Sequence, residues 1–377
     1  MPINTPVWDD GRWPDLPALD ADVRTDVCVI GLGGTGLSCV DELLALGRRV
    51  AGIDAGPVAG GAAGKNAGIL RAGAAAFHHE AVRGIGHRRA LRLYELTREE
   101  IHRITEQAKG AVRFVGSLRL AMSDEEHVDC ARQREAMRDD GLPVKNYNGP
   151  LGRGILIPGD AAFNPLARCR ALANRVRREG AQLFERTRAL GFTADEVMTP
   201  HGRIACEQVI VAVDGGLETL VPELAGSVRT ARLQMLATAP TREVEIPCPV
   251  STRYGYDYWQ QLPDGSLALG GGRDRAIEQE WTASSEPTPF IQDYLDGVLR
   301  NQLRVKAPVT HRWAASVSYT TTGLPVLAEV RPGVWVTGGF SGNGNLVGAL
   351  CGRAVARAAC GEHSEFASLI AQSAVRA

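Results

Sequence analysis

Three glycines, Gly31, Gly33 and Gly36, stand in a GxGxxG spacing inside TDVCVIGLGGTGLSCVDELLALGRRVAGIDAG, and Asp54 follows 18 residues after the last of them. The chemistry this spacing offers is the holding of a dinucleotide. Glycine permits the tight turn and lets the backbone approach a pyrophosphate, the next helix turns its N-terminal N–H groups to that anion, and an acid at the end of the following strand accepts hydrogen bonds from a ribose diol. A lone GxGxxG is a weak signal; the order strand, glycines, helix, strand and acid makes it a strong one. Residues 25–30 form a short apolar run suited to a buried parallel strand, 37–46 have helical spacing closed by Gly47, and 50–53 form a second strand.

Other residues with chemical potential lie further along. The stretch GGAAGKNAGIL, 60–70, packs four glycines and three alanines around Lys65 and Asn66, small enough for the backbone to come close to something large. RYGYDYW alternates, so Tyr254, Tyr256 and Tyr258 are expected on one face of a strand, with Asp257 on the other supporting Arg253. An aromatic wall with hydroxyls suits an amine, whereas a packed tyrosine ladder is the structural alternative. Lys65 reads either as a cation beside a cofactor or as a solvated loop lysine. His78 and His79 precede a helix and read as surface residues or as the rim of an entrance, and Trp313 reads as core.

The elements that must position these residues follow from the rest of the chain. Its 377 residues suffice for two domains, and 44% hydrophobic content supports a sizeable core. A formal net charge of -1 gives no nucleic-acid footprint. Eight scattered cysteines without a CxxC or a metal-ligand spacing read as reduced thiols of a cytoplasmic protein, with neither a disulfide frame nor a metal site. Prolines and acids with no apolar run in the first 24 residues argue against a signal peptide or a membrane span.

Residues 80–107 read as a polar helix, 111–122 as strands, a helix begins near Asn164, and a strand covers 182–189. EQVIVAVDGG is a buried strand ending in glycines, 231–273 alternates short strands with turns such as Pro263–Asp264–Gly265, and VWVTGGFSGNGNLVGALCGRAVARAA is a strand, a glycine loop and a helix. Strand–glycine–helix signals at both ends predict an α/β protein. A Rossmann-like dinucleotide-binding domain is assembled from pieces 25–85, 155–230 and 320–377. An inserted α+β substrate domain, 86–154 and 231–319, is built on a mostly antiparallel sheet, and 1–24 form an N-terminal extension.

The ordered set VIGLGGTG, GAAGKNAG, VIVAVDGG, GLPVL and GGFSGNG resembles the D-amino-acid-oxidase-like flavoproteins, the group that includes glycine oxidase, sarcosine oxidase and gamma-glutamylputrescine oxidase. RYGYDYWQQLPDGSLALGGGRD is most similar to the last branch. The resemblance implies FAD, held noncovalently. In it Gly31, Gly33, Gly34 and Gly36 take the pyrophosphate, and Asp54 and Ala55 take the adenosine ribose. Gly61, Ala62, Ala63, Lys65, Asn66, Ala67 and Gly68 run beside the ribityl chain and ring, and Thr187, Arg188 and Ala189 touch adenine. Ala212 and Gly215 close over the nucleotide, and Gly339, Ser341, Gly342, Asn343, Gly344 and Asn345 pass under the isoalloxazine.

Three departures from the family pattern bear on function. Val317 stands where sarcosine-oxidase-like members attach the flavin through cysteine, and also where α-amino-acid oxidases place a carboxylate-clamping arginine. Ala268 stands where a lysine promotes the reaction with oxygen, and Gly342–Asn343–Gly344 lacks the family's histidine. The expectation is FAD-dependent oxidation of an amine by hydride transfer to flavin N5, followed by hydrolysis of the imine. The substrate lacks an α-carboxylate or carries it away from the usual clamp, and Tyr258, Tyr256 and Lys65 are the catalytic candidates. Electrons pass to oxygen, giving hydrogen peroxide, or to another acceptor. Two rivals stay open: an α-amino-acid or imino-acid oxidase clamping its substrate through Arg253 or Arg312, and a flavin-binding electron-transfer partner.

Overall fold

Val27–Ile30 (VCVI) and Val50–Ile53 (VAGI) are buried at every position, the pattern of strands covered on both faces. In a computed structural model, which describes residues 4–371, they lie side by side in a six-stranded sheet. The order is Gln182–Phe184, Val50–Ile53, Val27–Ile30, Gln208–Val211, Val334–Gly338, Val326–Arg331, and every pair is parallel except the last. The helices Gly34–Ala45 and Val347–Ala359 pack on each other, because Gly348 and Gly352 face Thr35 closely enough that a Cβ on either would strike it. Cys28, Ile30, Ala51, Ile53, Val209, Val211, Leu217 and Val336 form the core around this sheet.

A second sheet has eight strands, and its neighbours in order include Val228–Thr238, Leu267–Gly271, Asp257–Gln261, Val250–Thr252, Ser117–Leu120 and Gly152–Ile157. From Val228–Thr238 onward its pairs are antiparallel except Val250–Thr252 with Ser117–Leu120. One face is apolar: Leu118, Leu120, Val250, Trp259, Leu267 and Leu269 pack with Ile291 and Leu295 of the helix Pro289–Gly297. The architecture is therefore the expected α/β one, a dinucleotide-type parallel sheet plus a mostly antiparallel sheet.

The chain divides into two compact units. One holds the residues up to Asp9, Lys65–Pro165 and Arg232–Ala315, and contains most of the eight-stranded sheet; the other holds Asp10–Gly64, Leu166–Ala231 and the chain from Ser316, and contains the parallel sheet. Residues 65–85 and 155–165, grouped by sequence with the nucleotide-binding pieces, lie in the first unit, and the described part of the extension 1–24 is shared between the two.

Several local expectations are corrected. The polar helix of 80–107 is two helices, His78–Ile85 and His87–Gln107, broken at Gly86 with φ 85°. The strand expected over 182–189 ends at Phe184, because Arg186 takes a left-handed φ of 49°. RYGYDYW is not one alternating strand: Arg253 and Tyr254 have φ of 51° and 57° in a tight turn, and the strand begins at Asp257. Tyr254, Tyr256 and Tyr258 therefore do not share a strand face.

Candidate functional site

In the parallel-sheet unit, the loops after Ile30, Val211 and Gly338 leave the same C-terminal edge of the sheet, where ligands bind in open α/β folds. The two inner loops touch: a Cβ on Gly31 (φ 109°) would lie 2.7 Å from the Ala212 carbonyl oxygen, and one on Gly36 would strike the Gly31 carbonyl. A Cβ on Gly33, by contrast, would meet only Ala63, at 3.3 Å. Gly31 and Gly36 are thus spent on the turn and on helix packing, while Gly33 keeps the approach open. Gly33 caps the helix Gly34–Ala45 without a side-chain hydrogen bond, and its first turn holds no acid. The first N–H groups are left for an anion, and the donor set fits the pyrophosphate of FAD.

Asp54 is more occupied than a ribose-binding acid requires. Its Oδ2 accepts from Leu32 N and its Oδ1 from Gly56 N, both at 2.8 Å, and burial raises its pKa against those two amides. Thr187 is buried, its hydroxyl donating to the Glu185 carbonyl and accepting from Leu19 N, while Arg188 is exposed. The buried Glu185 carboxylate, which sequence reasoning missed, takes N–H groups from Trp13, Leu16 and Val58 and so fastens part of the N-terminal extension within this unit.

The third loop is held by another carboxylate, the half-buried Asp214. Asp214 Oδ1 accepts from Gly339 N (2.9 Å) and Phe340 N (3.3 Å), and Oδ2 accepts from Ser318 N (3.2 Å). Burial pushes its pKa up to about 6. The loop needs such fastening: Gly339, Ser341 and Gly342 have φ of 70°, 51° and 85°, and a left-handed serine costs energy that surrounding structure must offset. Val317 is buried on the neighbouring strand. All eight cysteines are free thiols.

In the other unit, one cross-strand row runs along the polar face of the eight-stranded sheet. Ile155 stands opposite Arg119, Arg119 opposite Ser251, Ser251 opposite Tyr258, Tyr258 opposite Gly270, and Gly270 opposite Met235. Gln260 and Ala268 pair one step along on the same face. The Gln260 amide donates to the Ala67 and Gly68 carbonyls at 2.6 and 2.8 Å, and Trp8 Nε1 donates to the Asn66 carbonyl at 3.0 Å. The small-residue stretch is therefore clamped through its backbone. Lys65 points its Nζ to the Ala314 carbonyl at 3.4 Å, and burial lowers its pKa. Trp313 is fully buried and donates to the Lys65 carbonyl, as its core reading expects.

Charged groups that sequence reasoning missed gather at this row. Arg71 Nη1 donates to Ser251 Oγ at 3.3 Å. Asp160, fully buried, accepts from Ser117 Oγ at 2.6 Å and Ala72 N at 3.0 Å, and burial pushes it up to about 6 against the attraction of Arg71 and Arg119. Arg119 donates to Gln133 and lies over the Phe77 ring, its pKa pushed down to about 10 by burial and by Arg71.

The remaining candidates lie elsewhere in this unit. Arg253 is paired with Asp257, as expected, and with Asp274, and it also donates to the Tyr294 hydroxyl. Arg312 makes a two-toothed pair with Asp296 and donates to Gln292. Tyr256 is exposed at the turn, and Tyr254 donates to Asp129. His78 is not a surface residue: it begins a helix, is buried, and shares Asp140 with His87. Among the described residues no helix is long and apolar enough to cross a membrane, and no cluster of three His, Cys, Asp or Glu could hold a metal ion.

Residues 26–358 match the model of the DAO family, described as FAD dependent oxidoreductase. The chain is 26% identical over 380 residues to a probable oxidoreductase, OrdL, of Rhizobium meliloti, covering 94% of this chain and 87% of that one. It is 24% identical over 389 residues to the gamma-glutamylputrescine oxidoreductase of Escherichia coli, covering 94% and 88%. Among solved structures it is similar to glycine oxidase from Geobacillus kaustophilus, with a TM-score of 0.76 and 22% identity over 91% of this chain and 96% of that one. The glycine cradle, the parallel sheet behind it and the near full-length family match make the chain a member of the DAO family of FAD-dependent oxidoreductases.

Proposed function

We propose that the enzyme oxidises the C–N bond of a small amine that carries a carboxylate, and that Arg71 receives this carboxylate on the Tyr258 face of the eight-stranded sheet. The parallel-sheet unit is the FAD-holding part in this reading. Bound FAD supplies the acceptor for the hydride that leaves the carbon next to nitrogen. The chain's own task is to orient that C–H bond and to hold the substrate's charge. Water hydrolyses the resulting imine to a carbonyl compound and an amine, and oxygen takes the electrons, giving hydrogen peroxide.

The observation that carries the reading is how the arginines are used. Arg253 and Arg312 are committed to carboxylates, and Arg119 to Gln133 and an aromatic face. Arg71 gives one N–H to a serine hydroxyl, so its planar fork keeps donors for a carboxylate. Val317, at the usual clamp position, is apolar and leaves that role to another residue. Two relatives bear names consistent with such a substrate, glycine oxidase and gamma-glutamylputrescine oxidoreductase, since glycine and the glutamyl group both carry a carboxylate. The test is anaerobic mixing with paired small amines, with and without a carboxylate. Faster flavin bleaching by the carboxylate-bearing member supports the reading, and equal or faster bleaching by the neutral member contradicts it.

A further inference from the structure

Arg168, on the helix Pro165–Arg178, is only 3% exposed. Its guanidinium lies against the first turn of the glycine-motif helix: a Cβ on Gly34 would sit 2.6 Å from Nη1. Nη2 donates to Ser38 Oγ at 3.1 Å, Nη1 reaches Cys169 Sγ at 3.9 Å, and Nε is buried without a partner. Among the described residues no carboxylate pairs with it.

A buried guanidinium normally has a carboxylate, because desolvating a charge is costly unless an opposite charge compensates. Here the neighbourhood makes matters worse. The N-terminal end of the Gly34–Ala45 helix carries the positive end of the helix dipole and has no acid in its first turn. Without a ligand, two positive features therefore stand together. An anion at the helix N-terminus resolves the imbalance, and the FAD of this family brings a pyrophosphate.

We propose that Arg168 is a buried electrostatic partner of the FAD pyrophosphate: it acts across the first turn of the glycine-motif helix, contributes to cofactor affinity, and does so at the expense of the stability of the cofactor-free protein. This makes two effects of opposite sign. Neutralising Arg168 weakens binding of the anion and relieves the apoprotein of an uncompensated charge. A residue serving only to pack two helices has the opposite signature, with apoprotein stability lost and FAD affinity kept.

The test uses Arg168→Met, close in volume and uncharged, and Arg168→Lys, which keeps the charge. Apoprotein melting is measured alongside FAD and ADP dissociation constants at low and high salt, and ADP carries the pyrophosphate without the flavin. The expected result is an Arg168→Met apoprotein that melts no lower than wild type. Its FAD and ADP dissociation constants both rise at least tenfold at low salt, the difference shrinks at high salt, and Arg168→Lys recovers most of the affinity. FAD binding within twofold of wild type in Arg168→Met overturns the proposal, as does an effect on FAD with none on ADP. An Arg168→Met protein that fails to fold also overturns it, since the charge would then serve the fold.

Discussion

Tyr258 and Gly270 stand directly opposite each other in the antiparallel register, and the tyrosine ring lies on the glycine: a Cβ there would fall 2.9 Å from Tyr258 Cζ and 2.7 Å from Met235 Cγ. The glycine thus sets where the ring sits on the polar row. Gly270→Ala is therefore expected to displace the ring, at a stability cost of about 1–3 kcal/mol for overpacking. Substrate kcat/KM should fall about tenfold while FAD content stays at wild-type level. Unchanged kinetics in a correctly folded variant would remove Tyr258 from the substrate face.

Asp160 makes stability depend on pH. Burial raises its folded-state pKa from 3.8 to about 6, so the folded protein holds a proton that the unfolded chain has released. Its contribution is fully present below about pH 3.8 and is lost as pH rises through about 6. The melting temperature of wild type relative to Asp160→Asn should therefore be higher at pH 4.5 than at pH 7.5. A difference that is flat with pH, or larger at pH 7.5, would contradict the assignment.

Asp214 is expected to govern the local stability of the glycine loop. Removing its carboxylate leaves the amides of Gly339, Phe340 and Ser318 without their acceptor. In Asp214→Ala, hydrogen exchange at these three amides should accelerate at least tenfold, well beyond the change in the Val27–Ile30 core strand. Equal acceleration everywhere would mean that Asp214 stabilises the whole fold and not the loop.

The flavin should leave with acid. By the resemblance drawn from the sequence Val317 stands at the position of the linking cysteine, and the eight cysteines are free thiols, all with pKa values raised by burial. Acid precipitation should move all yellow colour to the supernatant, and colour retained in the washed pellet would mean a covalent link.

What the sequence made legible was local. The glycine spacing, the apolar runs beside it and Asp54 mark the parallel-sheet unit, because turn, helix and strand signals there fall within some thirty consecutive residues. The polar row was hidden because it exists only after Ser117–Leu120, Val250–Thr252 and Asp257–Gln261 have paired. Arg71 and Asp160 belong to it through contacts across 180 and 43 positions. RYGYDYW misled because alternation assumes extended backbone, and two left-handed residues before Gly255 turn the chain instead. Arg168 looks like any helical surface arginine until its burial against Gly34 is seen.

The proposed function stands or falls with Arg71 receiving the substrate's carboxylate. The most direct measurement is stopped-flow anaerobic flavin reduction of wild type and Arg71→Met, each with a carboxylate-bearing amine and its neutral counterpart of matched size. A lost charge-assisted hydrogen bond is worth about 1.5–3 kcal/mol, or roughly ten- to a hundredfold in rate. A loss of that size is expected for the carboxylate-bearing amine alone, with the neutral amine within about threefold of wild type and FAD still bound. Equal losses for both amines, or none for either, would contradict it.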